Sequence, residues 1–69
     1  MNFLELTKYQ QIDRRQDPGI AIAVDHIATI GVFTYNTGDI VTDITLVDGK
    51  KIEVTESFRY VMNMLKDAK

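Results

Sequence analysis

The chain has 69 residues, no Cys, one His and a formal charge of −2. A chain this short is one domain (1–69), and it buries only roughly 60% of the surface its unfolded form exposes, so a monomer has a thin stability margin. Disulfides are excluded, one His without thiols argues against a structural metal, and the acidic balance argues against a general nucleic-acid binder.

The first run, Phe3 to Lys8, alternates Phe3/Glu5/Thr7 against Leu4/Leu6/Lys8. That period suits a strand with Leu4 and Leu6 on its apolar face. Residues 1–6 lack the charged and apolar regions of a signal peptide, and no apolar run approaches the roughly 20 residues of a membrane span. A cytoplasmic protein without a membrane span is the expectation. Tyr9 to Gly19 is polar, carries Asp13-Arg14-Arg15-Gln16-Asp17 and ends in Pro18-Gly19, which reads as a long loop.

Gly19 to Val24 places Ile20, Ile22 and Val24 on one face and Ala21 and Ala23 on the other. The small residues leave room for close approach. Asp25-His26 interrupts the apolar run. Ile27 to Tyr35 then reads as a strand, with Ile27, Gly31, Phe33 and Tyr35 on one side and Ala28, Ile30 and Val32 on the other. Asn36-Thr37-Gly38-Asp39 is a turn, with Gly38 at a φ > 0 position.

Ile40–Val47 and Lys50–Thr55 flank Asp48-Gly49, a hairpin signal that predicts a type I′ turn. Ile44, Leu46, Ile52 and Val54 then share a sheet face. Phe58, Val61, Met62 and Leu65 follow at i, i+3, i+4 and i+7, one stripe of a helix capped by Thr55 or Ser57. Glu56 near its start and Lys66 and Lys69 near its end complement the helix dipole.

The expected fold is α+β: an antiparallel sheet of about five strands with one C-terminal helix packed on one face. One helix cannot cover both faces of such a sheet. Phe3, Ile27, Phe33, Tyr35, Val41 and Val47 remain for the second face, so the sheet either curls into a small barrel or offers an interface. Large apolar patches mark interaction sites, and a homo-oligomer is the expectation.

Candidate chemistry is sparse. Asp25 and His26 are strand neighbours that point to opposite faces, so they do not make an acid–base pair. Ser57 lacks a basic partner and serves as a cap. Asp39, Asp43 and Asp48 lack calcium-loop spacing, and no Gly-rich phosphate loop is present. No enzyme, no catalytic residue, no cofactor and no metal site is expected. Arg14 and Arg15, with Tyr9 nearby, concentrate groups that suit an anion: Arg offers a fork of donors and Tyr can stack on a base. The plainer reading is a solvated loop in which Asp13 and Asp17 neutralise the pair. Lys50-Lys51 reads as edge charge that discourages stray strand pairing.

The run Ile22-Ala23-Val24-Asp25-His26-Ile27-Ala28-Thr29-Ile30, with Thr42-Asp43-Ile44-Thr45-Leu46-Val47-Asp48-Gly49-Lys50-Lys51-Ile52-Glu53-Val54-Thr55-Glu56-Ser57, resembles the FlbD family of small flagellar and swarming-motility accessory proteins. The resemblance covers about two-thirds of the chain. It departs at the longer first connection, Tyr9 to Gly19, and at the longer, more aromatic Gly31 to Asp39 excursion. It implies a non-enzymatic accessory protein that acts as an oligomeric protein-binding module with an unknown protein partner. An alternative is a phage-type oligomeric binder that sequesters an anionic small molecule such as a cyclic nucleotide signal, with Tyr9, Arg14 and Arg15 as contacts. A DNA-binding regulator of the LytTR kind has a loosely similar strand-and-helix rhythm, but this chain is short and acidic for one.

Overall fold

A computed structural model describes residues 2–9 and 18–68. In chain order these form β1 (Phe3–Thr7), β2 (Gly19–Ala23), a 3-10 turn (Val24–His26), β3 (Ile27–Thr34), β4 (Ile40–Leu46), β5 (Lys51–Val54) and α1 (Phe58–Ala68). The class is α+β, with five antiparallel strands and a C-terminal helix, as expected. The strands form two sheets rather than one. β1 and β2 make a ribbon, and β3-β4-β5 make a three-stranded sheet. The sheets are not closed into a barrel.

The ribbon follows the alternation in β1. Leu4 and Leu6 are buried and pair with Ile22 and Ile20, while Phe3 and Glu5 face solvent over Ala23 and Ala21. Its end meets β5. The Tyr9 N–H donates to the Glu53 carbonyl at 2.9 Å, and the Thr55 N–H donates to the Thr7 carbonyl at 2.8 Å. Where the strand rhythm breaks at Asp25-His26, the chain makes its 3-10 turn, with both side chains exposed. The Val24 N–H donates to the Asn2 carbonyl and closes that end of the ribbon.

The two tight turns share one design. In Leu46–Lys50 the Gly49 N–H donates to the Leu46 carbonyl, and the Leu46 N–H donates to the Lys50 carbonyl. In Tyr35–Asp39 the Gly38 N–H donates to the Tyr35 carbonyl, and the Tyr35 N–H donates to the Asp39 carbonyl. Gly49 and Gly38 have φ of 93° and 94°, and no described non-Gly residue has a positive φ. Each is therefore a three-residue loop with a left-handed glycine in last place. The expected type I′ turn needs a positive φ at Asp48 too. Asp48 instead accepts the Lys50 N–H at 3.0 Å through its carboxylate, a local bond that stabilises the loop in its own way.

Ser57 caps α1: its hydroxyl accepts the Tyr60 N–H at 3.1 Å. Glu56 ties the helix entrance to the sheets. Its carboxylate accepts the Thr7 N–H at 2.9 Å, and its carbonyl accepts the hydroxyl of buried Thr42 at 2.5 Å. At the other end of α1, the Asn2 amide donates to the Ala68 carbonyl.

Leu4, Leu6 and Ile22 from the ribbon, Ile44 and Val54 from the sheet and Val61 from α1 make one buried cluster. Ribbon and helix thus share the covering of one face of β3-β4-β5. Within the helical stripe Val61 is the fully buried member, Met62 and Leu65 are half-buried, and Phe58 is exposed. The expectation of one five-stranded sheet needing two covers is corrected here, because two of the five strands belong to the cover.

Candidate functional site

Cross-strand partners share a face, so the register places side chains on the face of β3-β4-β5 turned away from α1. Gly31 pairs with Asp43, Phe33 with Val41, and Asp43 with Glu53. That face is small and largely polar. It carries Phe33 and Val41, but also Thr29, Asp43, Thr45, Lys51 and Glu53.

Two of the expected interface residues do not lie open on it. Ile27 pairs with Leu46, and the register slips between Ile27 and Thr29. This bulge turns Ile27 to the helix-covered face, where it packs against the core cluster. Val41 is on the predicted face but is only 1% exposed. Of the others, Phe3 and Val47 are exposed near His26, whose carbonyl accepts the Val47 N–H. Phe33 and Tyr35 lie at the opposite end of the β3–β4 ladder. The six residues therefore do not compose one patch.

At that opposite end, Tyr9 reaches over from the close of β1. Its ring stacks on Tyr35 with centroids 5.1 Å apart and planes 17° from parallel. Phe33 meets Tyr35 edge-on at 4.8 Å and 79°. The Tyr9 hydroxyl donates to Asp39 at 2.7 Å, and the Tyr35 hydroxyl donates to the Glu53 carboxylate. Asp39 also accepts from Thr37 at 3.3 Å. The bond to Glu53, aided by desolvation and by nearby negative charge, pushes the Tyr35 phenol up to about 12. The bond to Asp39 raises the Tyr9 phenol in the same way. A proton held between a phenol and a carboxylate is harder to remove, since the phenolate would face a like charge.

This arrangement ties strand ends together and spends both hydroxyls in doing so. Asp39 and Glu53 are the carboxylates that act on Tyr9, and Glu53 and Asp43 those that act on Tyr35. One Asp43 carboxylate oxygen is buried without a hydrogen-bond partner among the described residues. Arg14 and Arg15, expected beside Tyr9, lie outside the described residues. No group of three or more potential metal-ligating side chains occurs among the described residues. Sequence reasoning missed the Tyr9–Tyr35 pair, because nothing local to either residue signals a contact 26 positions away.

A different feature stands out on the far side of the sheet. Among the described residues β3 is its edge strand, bonded to β4 alone. It runs eight residues, Ile27 to Thr34, without a charge or a proline. Val32 is 58% exposed and Phe33 47%, on opposite faces of the strand. Beside this edge, Ile27 and Ile30 face Phe58, Met62 and Leu65 of α1 across an open groove. Natural edges are usually blunted by Lys, Pro or a short strand. This one has a bulge at its start and an open, uncharged ladder beyond it.

No family model, curated protein or solved structure matches the chain. No helix among the described residues is long and apolar enough to cross a membrane.

Proposed function

We propose that this protein is a non-enzymatic, cytoplasmic accessory module that acts by protein–protein contact, and that its first contact is with a second copy of itself along β3. The role accords with what the FlbD resemblance implies. The observation that carries the reading is the open edge of β3, eight residues without charge or proline. Two such edges paired antiparallel about a two-fold axis bring no like charges together, and the interface is self-complementary by symmetry. The pairing joins two three-stranded sheets into one of six strands. It also sets the groove between β3 and α1 against its symmetry mate, with Phe58 and Met62 at the seam. For a domain of this size, burial between copies supplies margin that a single small core lacks.

The test is sedimentation equilibrium of the parent and of Val32→Lys across the micromolar range. Val32 is exposed, so the lysine is tolerated in the protomer, while an edge lysine blocks strand addition. A parent dimer that becomes a folded monomer in the variant is the expected result. A parent that stays monomeric throughout, or a dimer indifferent to the lysine, overturns the reading.

A further inference from the structure

Another opening in the surface is a cleft of about 380 Å³ between β2 and the β4–β5 hairpin. Its existence follows from how the layers meet. Near Tyr9 the ribbon is hydrogen-bonded to β5, whereas around Phe3 it lies over the hairpin end of the sheet, where Ala21 and Ala23 fill little space. Phe3, Ile22, Leu46 and Ile52 give the cleft apolar walls. Two polar side chains, His26 and Lys50, complete the lining. Lys50 is cationic, and a ring N–H of His26 is a donor. No carboxylate of the described residues lines the cleft, in a chain where acidic residues outnumber basic ones by ten to eight.

We propose that this cleft binds a small amphipathic monocarboxylate. The carboxylate takes the Lys50 ammonium and the His26 ring N–H, and the apolar body lies against Ile22, Leu46, Ile52 and Phe3. The volume falls within the usual range for small-molecule sites, roughly 300–1,000 Å³, and an apolar cavity of about 150 Å³ already accepts benzene. An apolar lining with one or two placed polar groups is also the usual composition of such sites. The charge complementarity sets the sign of the head group. This site is separate from Tyr9 and from the β3 edge, so it stands whether or not two copies pair.

The probe is octanoate, with octan-1-ol as an uncharged analogue of equal chain length. Both are titrated into the full chain while the methyl resonances of Ile22, Leu46 and Ile52 are followed by NMR. The expected result is saturable shifts at those methyls, with octanoate bound about tenfold or more tightly than octanol. Lys50→Met keeps the apolar stem of an exposed residue and removes the charge. It should weaken octanoate about tenfold, the scale of one lost hydrogen bond to a charged group, and leave octanol unchanged. Shifts confined to other residues, equal affinity for the two probes, or octanoate binding indifferent to Lys50→Met would each overturn the proposal. The unperturbed spectrum of the variant establishes that its fold is intact.

Discussion

The two faces of β3-β4-β5 are covered by different physics. On one, the ribbon and α1 bury Ile44 and Val54 among Leu4, Leu6, Ile22 and Val61. On the other, Val41 is buried just as completely, at a strand end where Tyr9, Phe33 and Tyr35 pack together and the two phenols are bonded to carboxylates. The first face is held by apolar burial from six side chains that contact one another. The second is held at one end by three rings and two hydrogen bonds on a partly wet surface. Burial of a single residue therefore says little about what its surroundings contribute. Stability should reside on the first face, and sensitivity to solvent conditions on the second.

The sharpest way to break that contrast is to open a hole on each face. Ile44→Ala should cost about 2–5 kcal/mol, because neighbours from three elements cannot all collapse into the space. Val41→Ala should cost less, about 1.5 kcal/mol, since only two methyl groups are lost. Chemical denaturation of both variants measures the difference. Equal losses would mean that the tyrosine face is as firmly packed as the core.

A smaller effect separates the two turns. Gly38 and Gly49 have nearly the same φ, and an added Cβ at either meets nothing within 4 Å. Ala at each position should therefore cost about 1–2 kcal/mol through the backbone alone. The Gly38 turn also holds Asp39 for the Tyr9 hydroxyl. Any excess loss in Gly38→Ala over Gly49→Ala reports that attachment. Identical melting curves would show that the attachment adds nothing to stability.

The smallest effect is a shift with pH. Tyr35 holds its proton up to about 12 in the folded chain, against an ordinary value of 10.0. The folded state therefore binds more protons than the unfolded state between those values, and stability falls as pH rises through that window. The contribution is fully present below pH 10. Tyr35→Phe should be slightly less stable than the parent at neutral pH and should lose this part of the alkaline decline. Denaturation at pH 8 and pH 11 tests it, with phenolate absorbance of the parent as a direct readout. A parent whose tyrosines all ionise near pH 10 would refute the Tyr35–Glu53 bond.

Much of the helix-covered face was legible in the residues themselves. The alternation of Leu4 and Leu6, of Ile20 and Ile22, and of Ile44 and Val54 led to the inward positions directly, because strand period is a local property. The cap was legible to within Thr55 or Ser57, since capping depends on residues within one turn, and the structure has Ser57. Ile27 was misplaced because the bulge at Ala28 shifts parity by one, and a single inserted residue reverses every inference drawn from alternation. The stripe Phe58, Val61, Met62 and Leu65 was legible, but helical period alone does not rank its members; Val61 lies deepest because the helix meets the ribbon as well as the sheet. The Asp48-Gly49 pair announced a hairpin correctly, yet its loop type depends on where the strand ladder closes, one residue outside the pair.

The sequence by itself determined the α+β class, the strand and helix periods, the cap and the glycines at left-handed positions. These follow from interactions within a few residues, which a linear chain displays. Only the tertiary structure decided that five strands divide into a ribbon and a sheet. It also decided that Tyr9 lies on Tyr35, that β3 is an edge strand among the described residues, and that a cleft forms beside Lys50. Each of these depends on which distant segments meet once loop entropy is offset by burial, and the same local pattern is compatible with more than one such meeting.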